Sequence, residues 1–334
     1  MAATNPPLIS VLIAARNEES NMKACLEGVL RQTFPSDRYE VWIGDDNSSD
    51  GTAAVVKQFQ ASCKNLHLLP VEKNLNGLLG KANVLAQLAR VARGEILLIT
   101  DADVQVPPAW IDCYARHFRR RVDMISGVVA LNGQSVFAKL QNADWLTYMA
   151  ECNEKSNKGQ PVTAVGCNMA IRSSTYKAVG GYEKIPFSVT EDYELFRAVT
   201  SAGYAFGSLM DREALAFTNP VKTFGDLLKQ RRRWLTGSFS ANWRFVLGFN
   251  LNCLFLPFLL ALAFLVNPLI PATLFLYAWV NHIVFLRKVY HKLELKKNAG
   301  LYLYKPYSMI CNVIFMFVRM MPTPVEWKGR KYGQ

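Results

Sequence analysis

Two carboxylates stand one residue apart in EILLITDADV, residues 95–104, where Asp101 and Asp103 follow the apolar run Ile96 to Ile99. A short apolar run of this kind reads as a buried strand. Charges at the end of a buried strand are costly unless something pairs with them. Asp-x-Asp makes a poor acid–base pair but a reasonable half-site for Mg2+ or Mn2+, hard cations that take oxygen ligands and keep positions for water and substrate phosphates. A cation there would bridge to a diphosphate and stabilise it as a leaving group. Alone, the pattern also describes a surface turn with two solvated acids. Its company raises it: Ala15-Arg16-Asn17-Glu18 and Asp45-Asp46-Asn47-Ser48 follow other apolar runs in the same way.

The elements that must position these residues alternate. Leu8–Ala14, Tyr39–Gly44, His67–Val71 and Glu95–Thr100 read as strands. Glu18–Arg31 has Met22, Leu26, Val29 and Leu30 at helical spacing, and Thr52–Ser62 and Gly80–Arg93 read as helices. Such alternation predicts an α/β fold with a mainly parallel sheet covered by helices on both faces. In sheets of this kind ligands bind beyond the carboxyl ends of the strands, which is where the acids fall. No GxGxxG occurs, and a phosphate alone needs only backbone amides and a helix N-terminus. Strand ends rich in carboxylates call for a cation.

The chain has 334 residues, is 51% hydrophobic and carries a formal net charge of +12. Its seven scattered cysteines form no CxxC pair, so reduced thiols are expected rather than a disulfide framework or a zinc ribbon. No charged n-region precedes an apolar h-region at the N-terminus, so no signal peptide is expected. From Phe245 to Leu286 run 42 residues without one Asp, Glu, Lys or Arg, interrupted by Asn267-Pro268 and Pro271. One span needs about 20 apolar residues, so a two-helix transmembrane hairpin is expected over 244–287. Gln230-Arg231-Arg232-Arg233 before it and Arg287, Lys288, Lys292, Lys296, Lys297 and Lys305 after it place both flanks in the cytoplasm. The third apolar stretch, 307–321, has 15 residues and basic flanks, and is expected to lie in the interface. Residues 1–243 would then be a cytoplasmic domain and 288–334 a basic tail. Residues 287–334 hold ten Lys/Arg against two Asp/Glu, eight of the twelve excess charges, which favours an anionic leaflet over nucleic acid as partner.

Four motifs in order make the chain similar to glycosyltransferase family 2, inverting enzymes of the GT-A fold, over roughly residues 8–235. They are SVLIAARNEE with GDDNSSDGT; TDAD; TED at Thr190-Glu191-Asp192; and QRRRW, Gln230 to Trp234, which fits QxxRW. That last motif resembles the branch holding cellulose, chitin and hyaluronan synthases and ceramide glucosyltransferases. The resemblance implies roles. Ala15, Arg16 and Glu18 would line the nucleotide site, and Asp45 and Asp46 would reach uracil and ribose. Lys81 would approach the nucleotide or its diphosphate. Asp101 and Asp103 would bind nucleotide and metal, with Asp103 the better ligand. Asp192 would be the general base, with Glu191 beside it. Gly166, Cys167 and Asn168 would form a loop near the acceptor. Gln230, Arg233 and Trp234 would sit by the diphosphate and acceptor, whereas Arg231 and Arg232 read as a juxtamembrane basic cluster.

The chemistry agrees with these residue types. An attacking hydroxyl needs a base within hydrogen-bond reach. Charge growing on the diphosphate needs a cation and an arginine in a water-poor site. The resemblance implies a UDP-linked donor. Two spans are too few to enclose the channel that processive members of this branch form, so transfer to a lipid or lipid-linked acceptor is expected, in a bacterial inner membrane with the catalytic domain cytoplasmic. A processive polysaccharide synthase is the alternative. An inactive membrane scaffold and a nucleotidyltransferase are readings of other classes; the second leaves TED and QxxRW without a role.

Overall fold

The computed structural model describes residues 8–75, 77–186, 188–238, 243–319, 325–327 and 330–332. The chain divides into two compact units, residues 1–130 with 149–219, and residues 131–148 with 220–334.

The first unit is built on a sheet of seven strands: β1 Ile9–Ala15, β2 Tyr39–Asp45, β3 Leu66–Pro70, β4 Ile96–Asp101, β5 Met124–Ser126, β6 Asn168–Arg172 and β7 Phe206–Ser208. Their order is β3-β2-β1-β4-β6-β5-β7. The first four are parallel, and β6 runs antiparallel between β4 and β5. The expected α/β architecture is therefore present. The strands β1, β2 and β4 are almost wholly buried, as expected for strands covered on both faces. Helix Gly80–Val91 packs against β1 and β2, burying Val84, Leu85 and Leu88. Gly44 of β2 permits that approach, because a Cβ there would collide with the Val84 side chain.

Register decides where the chemistry falls. Ala15 of β1 lies beside Asp45 of β2, and Ala14 beside Asp101 of β4. Because β6 is antiparallel, its first residue, Asn168, lies beside Thr100 near the end of β4. Four chain-distant segments thus open onto one edge of the sheet.

The second unit is helical. Helices Phe224–Ser238, Trp243–Leu265, Leu269–Lys292 and Ala299–Arg319 follow one another. Residues 131–148 fall with the C-terminal helices in this unit, which resumes at residue 220. Asp144 gives one reason. Its carboxylate pairs with Arg231 and accepts a hydrogen bond of 2.7 Å from the Tyr304 hydroxyl. It thereby ties helix Val136–Asn157 to Phe224–Ser238 and Ala299–Arg319. Trp145 packs on Trp234 with ring centroids 4.8 Å apart. Arg231, expected as a lipid-facing charge, is instead a mostly buried partner of Asp144 and lies 4.7 Å over the Trp234 ring.

Val266–Pro268 is the turn between the first two apolar helices, and the Asn267 side chain accepts from the Leu269 N–H at 2.9 Å. Pro271 sits in the first turn of its helix, where a missing N–H costs nothing. The third apolar helix is longer than expected. It begins at Ala299 rather than at 307 and spans 21 residues, because Leu301 and Tyr304 extend its buried stripe toward the N-terminus. The short-length argument for an interfacial helix therefore falls, although its basic flanks remain. Leu269–Lys292 and Ala299–Val318 are each long and apolar enough to cross a membrane.

Candidate active site

Lys81 is the centre of the acidic edge. It stands in the first turn of helix Gly80–Val91 with its ammonium mostly buried. The Nζ lies 2.5 Å from Asp101 Oδ1 and 3.3 Å from Glu191 Oε1, and donates to the Gly166 carbonyl at 3.4 Å. Burial works against the ammonium, but Asp101, then Glu191 and Asp192, outweigh it and hold the Lys81 pKa above its ordinary value. Burial pushes the Glu191 carboxyl up, with Lys81 opposing and Asp192 adding to the rise. The protein's own cation for Asp101 is thus Lys81, a pairing invisible in the sequence because 20 residues and a helix turn separate the two.

The Gly166 peptide carries the network onward. Its carbonyl accepts from Lys81, and its N–H donates to Asp192 Oδ2 at 2.7 Å. The other Asp192 oxygen accepts from the Tyr193 N–H at 2.9 Å. Glu191 and Asp192 open helix Glu191–Ser201 with Glu194, so these acids also suit the positive end of the helix dipole. A Cβ on Gly166 would lie 2.9 Å from both Cβ and Oδ2 of Asp192, so glycine is what lets the strap close on this carboxylate.

On the other side of β4, the loops after β1 and β2 are tied together. The Asp46 N–H donates to the Ala15 carbonyl at 2.8 Å, and Arg16 Nη1 lies 3.5 Å from Asp46 Oδ2. Asn17 and Asn47 both take positive φ, 53° and 54°, which asparagine tolerates better than most residues. The Asn17 side chain accepts from the Ser49 N–H at 2.8 Å. Asp45 Oδ1 accepts from the Ser48 N–H at 3.1 Å. Glu18 is buried, donates its N–H to Thr52 Oγ1 at 2.8 Å and accepts from Asn21. The Ala15 side chain is buried, so only its backbone can line a ligand. The Cys25 thiol reports the field of the acids: burial, then Asp103, Asp101 and Glu18, push its pKa up.

Asn168 requires a correction. Its side chain is fully buried, and Oδ1 accepts from Trp110 Nε1 at 2.9 Å and the Tyr114 hydroxyl at 2.8 Å. Its Nδ2 donates to the Val128 and Ala214 carbonyls at 2.7 and 2.8 Å. All four hydrogen-bonding positions are used, so this asparagine braces the fold and has none left for an acceptor. Cys167 contributes its carbonyl, which accepts from Thr100 Oγ1 at 2.9 Å. Burial raises its thiol pKa well above the ordinary value, against a nucleophilic role.

The structure thus brings together Ala15, Arg16, Glu18, Asp45, Asp46, Lys81, Asp101, Asp103, Gly166, Cys167, Glu191 and Asp192 on the edge of one unit. Gln230, Arg233 and Trp234 lie on helix Phe224–Ser238 of the other. The pair Asp101 and Asp103 offers hard oxygen donors, as a divalent cation requires, with one Asp101 oxygen already turned to Lys81. A second cluster is a poor metal site. Cys113, Asp211 and Glu213 have ligand atoms within 4.8 Å of one another, but Glu213 is paired with Arg116 and burial raises the Cys113 thiol to about 12.

Residues 10–180 match the model of glycosyl transferase family 2, and residues 96–287 that of glycosyl transferase family group 2. Glycosyltransferase AglE of Haloferax volcanii is 27% identical over 75% of this chain and 82% of its own length. Beta-monoglucosyldiacylglycerol synthase of Trichormus variabilis is 26% identical over 70% of this chain; the match spans 49% of the synthase. Among solved structures, mannosyltransferase PcManGT from Pyrobaculum calidifontis, in complex with GDP-Man and Mn2+, shares the fold. Its TM-score is 0.61 and its identity 21%, over 95% of this chain and 87% of that one.

Proposed function

The chain belongs to glycosyl transferase family 2, and we propose that it is a membrane-anchored inverting enzyme. It would move a sugar from a UDP-linked donor to a hydroxyl of a lipid or lipid-linked acceptor. One observation carries this reading: the Lys81 ammonium and the Gly166 peptide join Asp101 of the Asp-x-Asp pair to Glu191 and Asp192 in a single network at the carboxyl edge of the sheet. A donor diphosphate belongs at such an edge, and a base belongs beside it.

Asp192 takes the proton of the acceptor hydroxyl as that oxygen attacks the anomeric carbon; Gly166 fixes its orientation. Asp45, Asp46 and Arg16 hold the nucleoside. Asp103, with the outer oxygen of Asp101, would hold Mg2+ or Mn2+, which supplies positive charge against the departing diphosphate when bound.

Support for the lipid acceptor comes from the apolar surface. Leu251, Phe258, Leu260, Phe264, Leu265, Leu269, Leu276 and Tyr277 are each at least half exposed, with Phe264 at 90%. Soluble proteins seldom expose so many large apolar side chains on neighbouring helices, and a bilayer would cover them. One of the matched relatives is itself named as a synthase of a glycolipid.

The test is a screen of UDP- and GDP-sugars on the detergent-purified chain with Mn2+, Mg2+ or EDTA, with and without total lipid extract. The expected result is metal-dependent nucleotide release that rises with lipid and disappears in Asp192→Asn. A polymeric product would replace the lipid reading with the synthase reading. Absence of both turnover and donor binding would leave the inactive scaffold.

A further inference from the structure

The opposite edge of the same sheet carries a basic cavity for which the transfer reaction has no use. It has a volume of about 500 Å³ and is lined by Arg119, Arg120, Arg121, Val122, Asp123 and Arg172, with Gly203, Tyr204 and Ala205 completing the wall. Arg172 lies beside Ile96, the first residue of β4, whereas Asp101 is the last. Five residues of strand at about 3.3 Å each separate the two levels by roughly 17 Å. A ligand here is not the donor.

The loop that bears the arginines is held in place from below. Arg172 Nε donates to the Val122 carbonyl at 2.9 Å, and its Nη2 to the Phe118 and Arg120 carbonyls at 2.6 and 3.3 Å. The same guanidinium stacks over the Phe118 ring at 5.3 Å. One buried-side arginine thus fixes the backbone from which three exposed ones project.

The acids are accounted for. Asp123 accepts from Thr175 Oγ1 at 3.2 Å and from the Ala205 N–H at 2.9 Å, and lies 4.0 Å from Arg172. Arg116 is shared by Asp112 and Glu213. Among the described residues, Arg119, Arg120 and Arg121 enter none of these ion pairs, and all three are exposed. Four guanidinium groups against one carboxylate leave a net local charge of about +3 on a preorganised rim, and such a concentration attracts multiply charged anions. Guanidinium forks match phosphate in bidentate geometry, and the volume lies within the range of small-molecule sites.

The geometry points to a second anion site: this cavity binds a phosphate group, carried either by a small free ester or by the headgroup of an anionic lipid. The site is independent of the donor edge and of the transfer reaction proposed for it.

Native mass spectrometry of the full chain in detergent tests this, with EDTA present. The probes are sn-glycerol 3-phosphate, phosphatidylglycerol and, as a zwitterionic control, phosphatidylcholine. The expected result is one saturable phosphate-bearing adduct per chain. Arg120→Gln/Arg121→Gln should weaken it about tenfold or more, whereas Lys296→Gln/Lys297→Gln, in the basic tail, should leave it unchanged. Binding of glycerol 3-phosphate assigns a free ester; binding of phosphatidylglycerol alone assigns a headgroup. The substituted arginines are exposed, so both variants should melt as the parent does. Equal binding by the arginine variant, loss in the tail variant instead, equal retention of phosphatidylcholine, or no saturable adduct with either phosphate probe would each overturn the site.

Discussion

Removing the Lys81 ammonium tests the acidic edge without knowledge of the donor or acceptor. Lys81→Met keeps the apolar stem and deletes the charge that faces Asp101 at 2.5 Å and Glu191 at 3.3 Å. Lys81 and Glu191 are each only 13% exposed, and Asp101 is one-third exposed. Breaking a buried pair by removing one partner costs about 3–5 kcal/mol; partial exposure of Asp101 puts this case near 3 kcal/mol. For a body of roughly 200 residues, each kcal/mol moves Tm by about 2–4 °C. The first transition should therefore fall by about 6–12 °C in a thermal melt followed by intrinsic fluorescence. Glu191→Gln removes the carboxylate that loses most by the change. The double variant Lys81→Met/Glu191→Gln should then melt well above the sum of the single losses, with a coupling of about 1–2 kcal/mol. A Lys81→Met protein that melts within 2 °C of the parent, or strictly additive losses, would refute the view that this ammonium holds the edge together.

Gly166→Ala should lower turnover about a hundredfold with little change in donor KM, because the new Cβ displaces Asp192 and small misplacements of a reacting group are costly; initial-rate kinetics check this. Asp103→Asn should weaken Mn2+ binding at least tenfold by electron paramagnetic resonance titration, and more than Asp101→Asn, whose inner oxygen already serves Lys81. Glu40 predicts an acid limb of stability. Burial opposes its charged form, but Ser10 and Arg93 outweigh this and lower its pKa. A depressed carboxyl contributes stability above its unfolded value, near 4.5, and loses it as pH falls through the folded value. His67, whose pKa burial lowers, shares this field. Melts between pH 5 and 3 should thus fall less steeply in Glu40→Gln than in the parent.

Much of the fold was legible because strand ends and helix starts carry local signals. The apolar runs predicted β1 to β4 closely, and their parallel order placed the acids on one edge. The antiparallel strand Asn168–Arg172 was not legible, since its sequence NMAIR is an apolar run like the others and nothing local states direction. That strand decides the role of its neighbours. It brings Gly166 against Asp192 and buries Asn168 among Trp110, Tyr114, Val128 and Ala214, partners up to 58 residues away. Arg231 was misread for the same reason: RRR before an apolar run looks solvated until Asp144, 87 residues earlier, meets it. The resemblance named the family, but a motif cannot say which of its members faces a ligand and which faces a neighbour.

The sheet is polarised in charge, and the polarity follows from how the chain enters and leaves its strands. At the carboxyl edge of β1, β2 and β4 the loops carry Glu18, Asp45, Asp46, Asp101 and Asp103, with Glu191 and Asp192 brought to the same edge by β6. Lys81 and Arg16 are two cations among seven acids, so the edge carries a net negative charge. At the amino edge of β4 and β5 the sign reverses, with Arg119, Arg120, Arg121 and Arg172 against Asp123. Had either group been only a solvated face, its charges would be scattered along exposed helices, as Lys57 and Lys23 are. Instead each is concentrated where a hydrogen bond holds a charged side chain or its loop in place: the Gly166 N–H donates to Asp192 on one side, and Arg172 donates to the Val122 and Phe118 carbonyls on the other. Preorganised charge of one sign is costly to fold unless it meets its counterpart, and this sheet presents one such edge at each end.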